Sequence, residues 1–453
     1  MKPLGEIFLS ASLQEKLGVP PVNTIRVRAG MIIVSSRLII RPSSPALRSF
    51  KLSPQLRQGL YLKKNQVFQI RYDQVGQYLH LGPIIGIFSS TIPNHDEYHP
   101  TSLQAELICL SRIARSLPGQ IYVFTPADIN WNTRTVRGYQ YRCIGKEKGS
   151  WGSSLYPLPD VVYDRISSRR SEGRSSVQAC KRRLKSLANL HYFNPSFLNK
   201  WKVHQLLIKN PDLWDYLPET HLLNLDSLQS MLSRYHSLYL KPADGSLGRG
   251  IIRVNKNSGK LFYTIYKQGR SKGKADNARE LMKKTRPVRQ KKAYIVQQGL
   301  ELAQDKGAPF DIRIIFQKNG AGQWQVSKKF ARVAARGSMI ANLSRGGKAE
   351  TIRDIFAEVL KWDEQESQAR NEEINHLCLL TAETLEKESS ALYGELGLDI
   401  GIDQQGKLWL IEVNSKPRKT TETELSMGVV RNTFRRPLQY AIFLAGFESK
   451  KEK

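Results

Sequence analysis

The chain has 453 residues, 40% hydrophobic and 24% charged, enough for two or three globular domains and with no apolar run near the ~20 residues of a membrane-spanning helix. Its four cysteines (Cys109, Cys143, Cys180, Cys378) are scattered with no CxxC pair, which argues against a disulfide framework or a zinc site and predicts reduced, mostly buried thiols. Net charge is the outlier, +30 with a pI near 10.0, and it predicts attraction to anions: nucleotide, nucleic acid, acidic polymer or membrane surface.

From the N-terminus, Met-Lys-Pro-Leu-Gly-Glu lacks a signal-peptide core, which predicts cytoplasmic synthesis. Residues 1–83 carry short β-prone runs punctuated by Gly and Pro (24–28, 31–34, 37–40, 66–70), the pattern of a small β-rich module. From residue 84 to about 190 the order becomes strand, helix, strand. Ile84–Phe88, Ile121–Phe124 and Asp160–Asp164 read as strands, and Ser102–Leu117 has helical apolar spacing. That order predicts a small α/β domain with parallel pairing. No Gly-rich fingerprint follows its first strand, so it is not a dinucleotide site. It ends in a basic run, Arg169–Arg174 followed by Lys181–Lys185; a second such run spans 267–292. Both read as solvated faces or loops.

Residues 191–453 read as one further domain. Helices are expected at Asn199–Asn210 and Leu225–Tyr235. Leu238–Val254 then reads as strand, Gly-rich loop, strand. Gly245, Ser246, Gly248 and Gly250 form a loop whose backbone N–H groups can approach phosphates, because glycine tolerates positive φ. Lys241, at the end of the first strand, supplies a point charge to them. The lysine precedes the glycines, so this is not the P-loop pattern.

Tyr294–Gln298 is another strand, and 299–302 reads as a hinge between lobes. In Phe310–Phe316, Asp311 and Arg313 share a strand face, which leaves open a structural ion pair or a direct role toward ATP. Arg332, in the strand Lys329–Val333, is placed to neutralise a transferred phosphoryl group. Asn342, in Ala341–Gly347, is placed to complete a metal–phosphate cage. Residues 350–395 are helical in period, with Ile374, Leu377, Cys378, Thr381 and Leu385 on one face. A final helix is expected from Phe434 to Leu444. Between them stands the hairpin Gly397–Asn414. Glu412 and Asn414 share one strand face, and Asp399 reaches it if the register is within a residue of direct pairing. Three oxygen donors without His or Cys suit a hard cation such as Mg²⁺.

Lysine strand, Gly-rich loop, hinge, Asp-x-Arg strand, Arg…Asn-Leu-x-x-Gly-Gly, then Asp…Glu-x-Asn: in this order the motifs resemble the ATP-grasp fold across roughly residues 195–447. The segment around Arg332, Asn342, Gly346 and Gly347 resembles ligases that add glutamate to carboxylates. More closely, Leu240-Lys-Pro-Ala-Asp-Gly245 and Glu412-Val-Asn-Ser-Lys-Pro417 are similar to the signatures of the YheC/YheD-type endospore coat-associated family. The resemblance implies an α+β, two-lobe ATP-grasp fold preceded by a small α/β domain and the N-terminal β-rich module. It implies ATP between the lobes, with adenine read at Gln297 and Gln298, and two Mg²⁺ ions on Asp399, Glu412 and Asn414. The hinge departs from related ligases, with Gln298-Gly299 where Glu and an aromatic residue often stand.

The chemistry so implied is ATP-dependent carboxylate–amine ligation through an acylphosphate, with an unknown carboxylate and amine. An acidic peptide or polymer suits the positive charge. Spore-coat proteins are implied partners, and the forespore or spore coat is the implied location. Two other readings stand beside it: a non-catalytic nucleotide-binding scaffold of the spore coat, and a nucleic-acid binder using the basic runs. Few aromatic residues interleave those runs, which disfavours nucleic acid.

Overall fold

The computed structural model describes residues 3–44, 48–144, 148–245, 248–267, 269–290, 292–335, 347–421 and 427–448. Four sheets organise them. The first, within residues 6–82, has six strands in the order Phe50–Leu52, Glu6–Ser10, Ile32–Arg41, Thr24–Ala29, Tyr78–Gly82, Gln69–Asp73. Apart from Met31, the two apolar runs 31–34 and 37–40 lie in one ten-residue strand, Ile32–Arg41, because the Ser35-Ser36 pair between them stays in register against Arg26 and Ile25.

The second sheet holds four parallel strands, Gln120–Phe124, Ile84–Phe88, Val161–Asp164 and His191–Phe193, as the strand–helix–strand order predicts. A long antiparallel pair, Thr135–Ile144 with Lys148–Pro157, extends one edge. One face of this sheet shares a core with the first sheet, through Val162, Tyr122 and Leu79. The other face is covered by the helices Leu103–Ala114 and Met427–Leu444.

The last helix contains Pro437, which cannot donate to the carbonyl of Thr433. That carbonyl accepts instead from Gln317 Nε2 at 2.8 Å and Lys419 Nζ at 3.3 Å. The freed acceptor thus becomes a tie between the helix, a strand and the loop after Asn414.

The third and fourth sheets are antiparallel and form two lobes. One runs Thr220–Leu222, Tyr294–Gln298, Ser237–Pro242, Ile251–Asn257, Lys260–Tyr266, Arg270–Ala275, backed by Leu225–Arg234 and Ala278–Arg289. The other runs Lys348–Glu350, Trp324–Val333, Ala308–Lys318, Glu395–Ile402, Leu408–Asn414, backed by Glu364–Ser389. That long helix buries Ile374, Leu377, Cys378, Thr381 and Leu385, the face expected from their spacing. Residues 350–363, expected as part of it, instead hold a strand end, a short helix and a π-turn. At the join of the lobes, Gly299 donates its N–H to Ser237 O at 2.8 Å. A Cβ there would stand 2.6 Å from that oxygen, so a side chain is excluded. Among the described residues, no helix is long and apolar enough to cross a membrane.

Candidate functional site

The hairpin Glu395–Ile402/Leu408–Asn414 supplies the acidic floor. Asp399 and Glu412 are direct Cα partners, and Gly397 faces Asn414. The register then shifts by one residue at Ile411, a bulge that re-aims the strand beside Glu412. Gly397 and Gly401 flank Asp399 on its strand face. A Cβ at Gly397 would meet Arg313 Nη1 at 3.0 Å, so the glycine makes room for that guanidinium.

Asp399 is buried between two arginines. Arg313 Nε stands 2.9 Å from its Oδ1 and Arg332 Nη2 3.0 Å from its Oδ2. Oδ1 nevertheless accepts no hydrogen bond of proper geometry, which leaves a buried acceptor lone pair unused. Arg332 also donates twice to Asp311, at 2.7 Å from Nε and from Nη2. The partner of Asp311 is therefore Arg332, on the adjacent strand, and not Arg313 two residues along its own. Burial pushes the Asp311 carboxyl up to about 6, and the Arg332 fork keeps it ionised at neutral pH. Burial opposes the charge of Arg332, but Asp399 and Asp311 outweigh it and hold the guanidinium protonated. Arg332 thus clamps two carboxylates together and is not free to face the cleft.

Lys241 reaches in from the facing lobe, as its place at the end of the strand Ser237–Pro242 predicts. Its Nζ donates to Gln297 Oε1 at 2.5 Å, and Gln297 Nε2 donates to Thr220 Oγ1 at 2.9 Å. Burial, with Lys200 nearby, lowers its pKa to about 8 against the pull of Glu412 and Asp399. Gln298 turns away and accepts from the Glu219 N–H at 3.3 Å. Strand alternation separates the two glutamines, so Gln297 lines the cleft and Gln298 does not. In the Gly-rich loop, Gly248 and Gly250 have φ of 66° and 79°, which glycine alone adopts freely. Gly245 has no positive φ; its Cβ would press on Pro242 at 2.9 Å. Ser246, Asn342 and Gly346 lie outside the described residues.

Several cleft residues were not singled out by the sequence, and one of them, Lys200, is charged. Lys200 opens the helix Lys200–Leu207 behind an Asn199 cap. Its Nζ donates to Glu412 Oε1 at 2.8 Å and to Gly245 O at 2.9 Å, so it spans the metal-type floor and the Gly-rich loop. Burial opposes ionisation of Glu412, but Lys200, Arg313 and Lys241 outweigh it and hold its pKa below the usual carboxylate range. Val203, His204 and Leu207 continue the same helix face along the cleft. Burial and His221 push His204 down to about 4, so it is neutral there. The signal in the sequence was a lysine one residue past a helix cap, which is too common to single out. The cleft has an open volume of about 40 Å³, far below the ~300 Å³ at which ligand pockets begin, so a ligand of nucleotide size would have to widen it.

Beyond Asn414 the chain enters the parallel-sheet domain as a buried strap. Lys416 Nζ donates to Asp164 Oδ1 at 2.7 Å and Glu172 Oε1 at 3.0 Å, and Lys419 stands 2.8 Å from Glu395 Oε2. Asn194 closes the seam, with Nδ2 donating to Glu395 O at 2.7 Å and Oδ1 accepting from Gly394 N at 2.9 Å. The acidic floor is therefore fixed to the rest of the molecule by paired charges.

Among the described residues, no group of three or more His, Cys, Asp or Glu side chains is gathered for a metal ion. A Mg²⁺ site needs less, one or two carboxylates with phosphate oxygens completing the shell. Asp399, Glu412 and Asn414 are hard oxygen donors at one end of the hairpin, a donor set whose chemistry fits such an ion.

Two antiparallel lobes closing on two lysines and a pair of carboxylates define an ATP-grasp fold. The chain belongs to the YheC/D-like ATP-grasp family, which matches residues 189–444. It is 30% identical over 374 residues to the endospore coat-associated protein YheD of Bacillus subtilis (strain 168), covering 81% of this chain and 80% of that one. It is 27% identical over 331 residues to endospore coat-associated protein YheC of the same strain, covering 72% and 89%. Among solved structures it is similar to D-alanyl-alanine synthetase A from Vibrio cholerae O1 biovar eltor str. N16961, with a TM-score of 0.44 and 13% identity over 81% of this chain and 98% of that one.

Proposed function

We propose that this protein binds ATP and Mg²⁺ between its lobes and joins a carboxylate to an amine through an acylphosphate. The observation that carries the reading is Lys200 seated between Glu412 and the Gly245 carbonyl, with Lys241 beside it. Two cations and two carboxylates at the mouth of a Gly-rich loop match a metal–polyphosphate ligand in charge and arrangement.

Asp399, Glu412 and Asn414 would hold the metal, one ion or two, which would supply neutralisation of the phosphate charge. Lys200 and Lys241 bind and orient the phosphates, and the Gly-rich loop supplies backbone N–H donors. Gln297 and the cleft face of Val203, His204 and Leu207 bound the base. The substrate carboxylate takes the γ-phosphoryl group; the amine then displaces phosphate and gives up its proton. Arg332 holds Asp311 and Asp399 in place through this sequence, so catalysis rests on positioning and electrostatics with no side-chain nucleophile. The positive charge of the chain favours an acidic acceptor such as a peptide or polymer. Association with the spore coat rests on the names of the two Bacillus subtilis relatives.

The test is calorimetric titration of ATP with and without Mg²⁺, on the wild type and Glu412→Gln. Mg²⁺-dependent binding that collapses in the variant supports the site and justifies screening acids with amines for phosphate release. Absence of binding in the wild type ends the enzyme reading. A second reading, a nucleotide-gated scaffold, is favoured by one observation: Glu412, Asp399 and Asp311 are already paired with Lys200, Arg313 and Arg332. Binding without turnover across the acid–amine screen would select it.

A further inference from the structure

The basic run 169–185 splits in two in the folded chain. Lys181 turns inward to Asp164 and Glu172, at 2.9 and 2.8 Å. Arg174 and Arg183 line a cavity in the parallel-sheet domain that shares no residue with the nucleotide cleft. Its open volume is about 400 Å³, within the ~300–1,000 Å³ of ligand pockets and ten times that of the cleft.

The cavity lies just past the carboxyl ends of the parallel strands Ile84–Phe88 and Gln120–Phe124, with Ser90 and Thr125 in its wall. In sheets of this kind ligands gather at that edge. Every charged group in the wall is an arginine. Arg183 stacks its guanidinium on the Trp131 ring, 4.3 Å from the centroid. Stacking uses the face of the guanidinium and leaves its in-plane N–H donors for an anion. The nearest acid in sequence, Asp128, is committed elsewhere: it accepts from Thr125 N and Oγ1, at 2.9 and 2.7 Å, and from Tyr139 at 3.2 Å.

The helix Ser175–Lys185 begins at this cavity with Arg174 in its N-cap position, no side-chain cap and no acidic residue in its first turn. Its first N–H groups and the positive end of its dipole add to the two arginines without an internal counter-charge. The floor, Val177, Ala179 and Cys180 with Pro126, is apolar.

The geometry points to a second binding site, for a small organic carboxylate or phosphate, held by Arg174, Arg183 and the helix N-terminus with its body against Trp131. The site is independent of whether the cleft is catalytic.

The experiment is calorimetric titration of the full chain with three probes: inorganic phosphate, glutarate and phthalate. They separate a phosphoryl group, an aliphatic carboxylate and a ring-bearing one. Saturable one-to-one binding of at least one probe is expected, weakened tenfold or more in Arg174→Gln/Arg183→Gln and unchanged in Arg182→Gln. All three arginines are exposed, so the variants leave the core intact. Lys200→Met, which removes a cation from the nucleotide cleft proposed above, leaves probe binding unchanged. The inference is overturned if no probe saturates, if the double variant binds as the wild type does, or if Lys200→Met abolishes probe binding, which would place the anion in the nucleotide cleft.

Discussion

Lys200 and Glu412, 212 positions apart in sequence, form an ion pair at 2.8 Å across the mouth of the cleft. The ammonium touches one of the oxygens proposed for the metal, so the two cations compete until phosphates arrive. Lys200→Met is therefore expected to have opposite effects on two ligands. ATP affinity falls about 10- to 100-fold, the ~1.5–3 kcal/mol of a charged hydrogen bond. Mg²⁺ alone binds more tightly, because Glu412 has lost its partner. Titrating each ligand separately checks both signs.

Lys241 gives the cleft a pH dependence. Its pKa of about 8 in the free protein lies below that of an exposed lysine. Above pH 8 the free protein must take up a proton to present a cation to phosphate, so ATP affinity declines up to about tenfold per pH unit. The decline stops at the higher pKa of the complex. Below pH 8 affinity is flat with respect to this group. Lys241→Gln should bind more weakly at pH 7 and lose this dependence, as read from binding isotherms between pH 7 and 9.5.

Arg332 holds Asp311 and Asp399 at once. Arg332→Met leaves both buried carboxylates short of a partner, at a cost of about 3–5 kcal/mol in urea denaturation. Adding Asp311→Asn should recover part of that loss, since the uncompensated charge is what destabilises. An additive double mutant would deny the coupling.

Gly299 is expected to tolerate no side chain. Its Cβ would press on the Ser237 backbone at 2.6 Å, where the lobes join. Gly299→Val lowers the thermal midpoint and weakens ATP binding together, because the seam that orients the lobes is displaced. Gly307→Ala, at φ of 79° with open space around it, carries backbone strain of about 1 kcal/mol and leaves ATP binding unchanged.

The strap network sets acid stability. Burial alone would raise the pKa of Asp164, Glu172 and Glu395, but Lys416 and Lys181, and Lys419 with Arg165, outweigh it and depress all three. A carboxylate with a depressed folded pKa contributes stability above its unfolded value of about 4 and loses it as pH falls through the folded pKa. Denaturation midpoints are therefore insensitive to these groups from pH 7 to 5 and drop below about pH 4. Lys416→Met lowers stability at pH 7 and shifts the acid transition upward.

The acidic hairpin, the lysine strand, the Gly-rich loop and the apolar face of the long helix were legible because each is local. Periodicity of two or 3.6 and a glycine at positive φ are properties of a few consecutive residues. Pairing across strands was not. Asp311 and Arg313 share a face, yet the sheet gives Asp311 to Arg332 and Arg313 to Asp399, since register between strands is set by packing. The opposite facing of Gln297 and Gln298 follows from alternation, but which of them meets the cleft depends on where the facing lobe lies.

Sequence by itself determined the elements, their order and the family they spell, because those rest on local backbone preference and the succession of motifs. Tertiary structure alone decided that Lys200 belongs to the cleft, that Arg332 is engaged with two carboxylates, and that one basic run divides between an internal strap and a second cavity. Those outcomes depend on Coulomb and packing forces between residues far apart in the chain, and such forces act through distances that only the folded backbone sets.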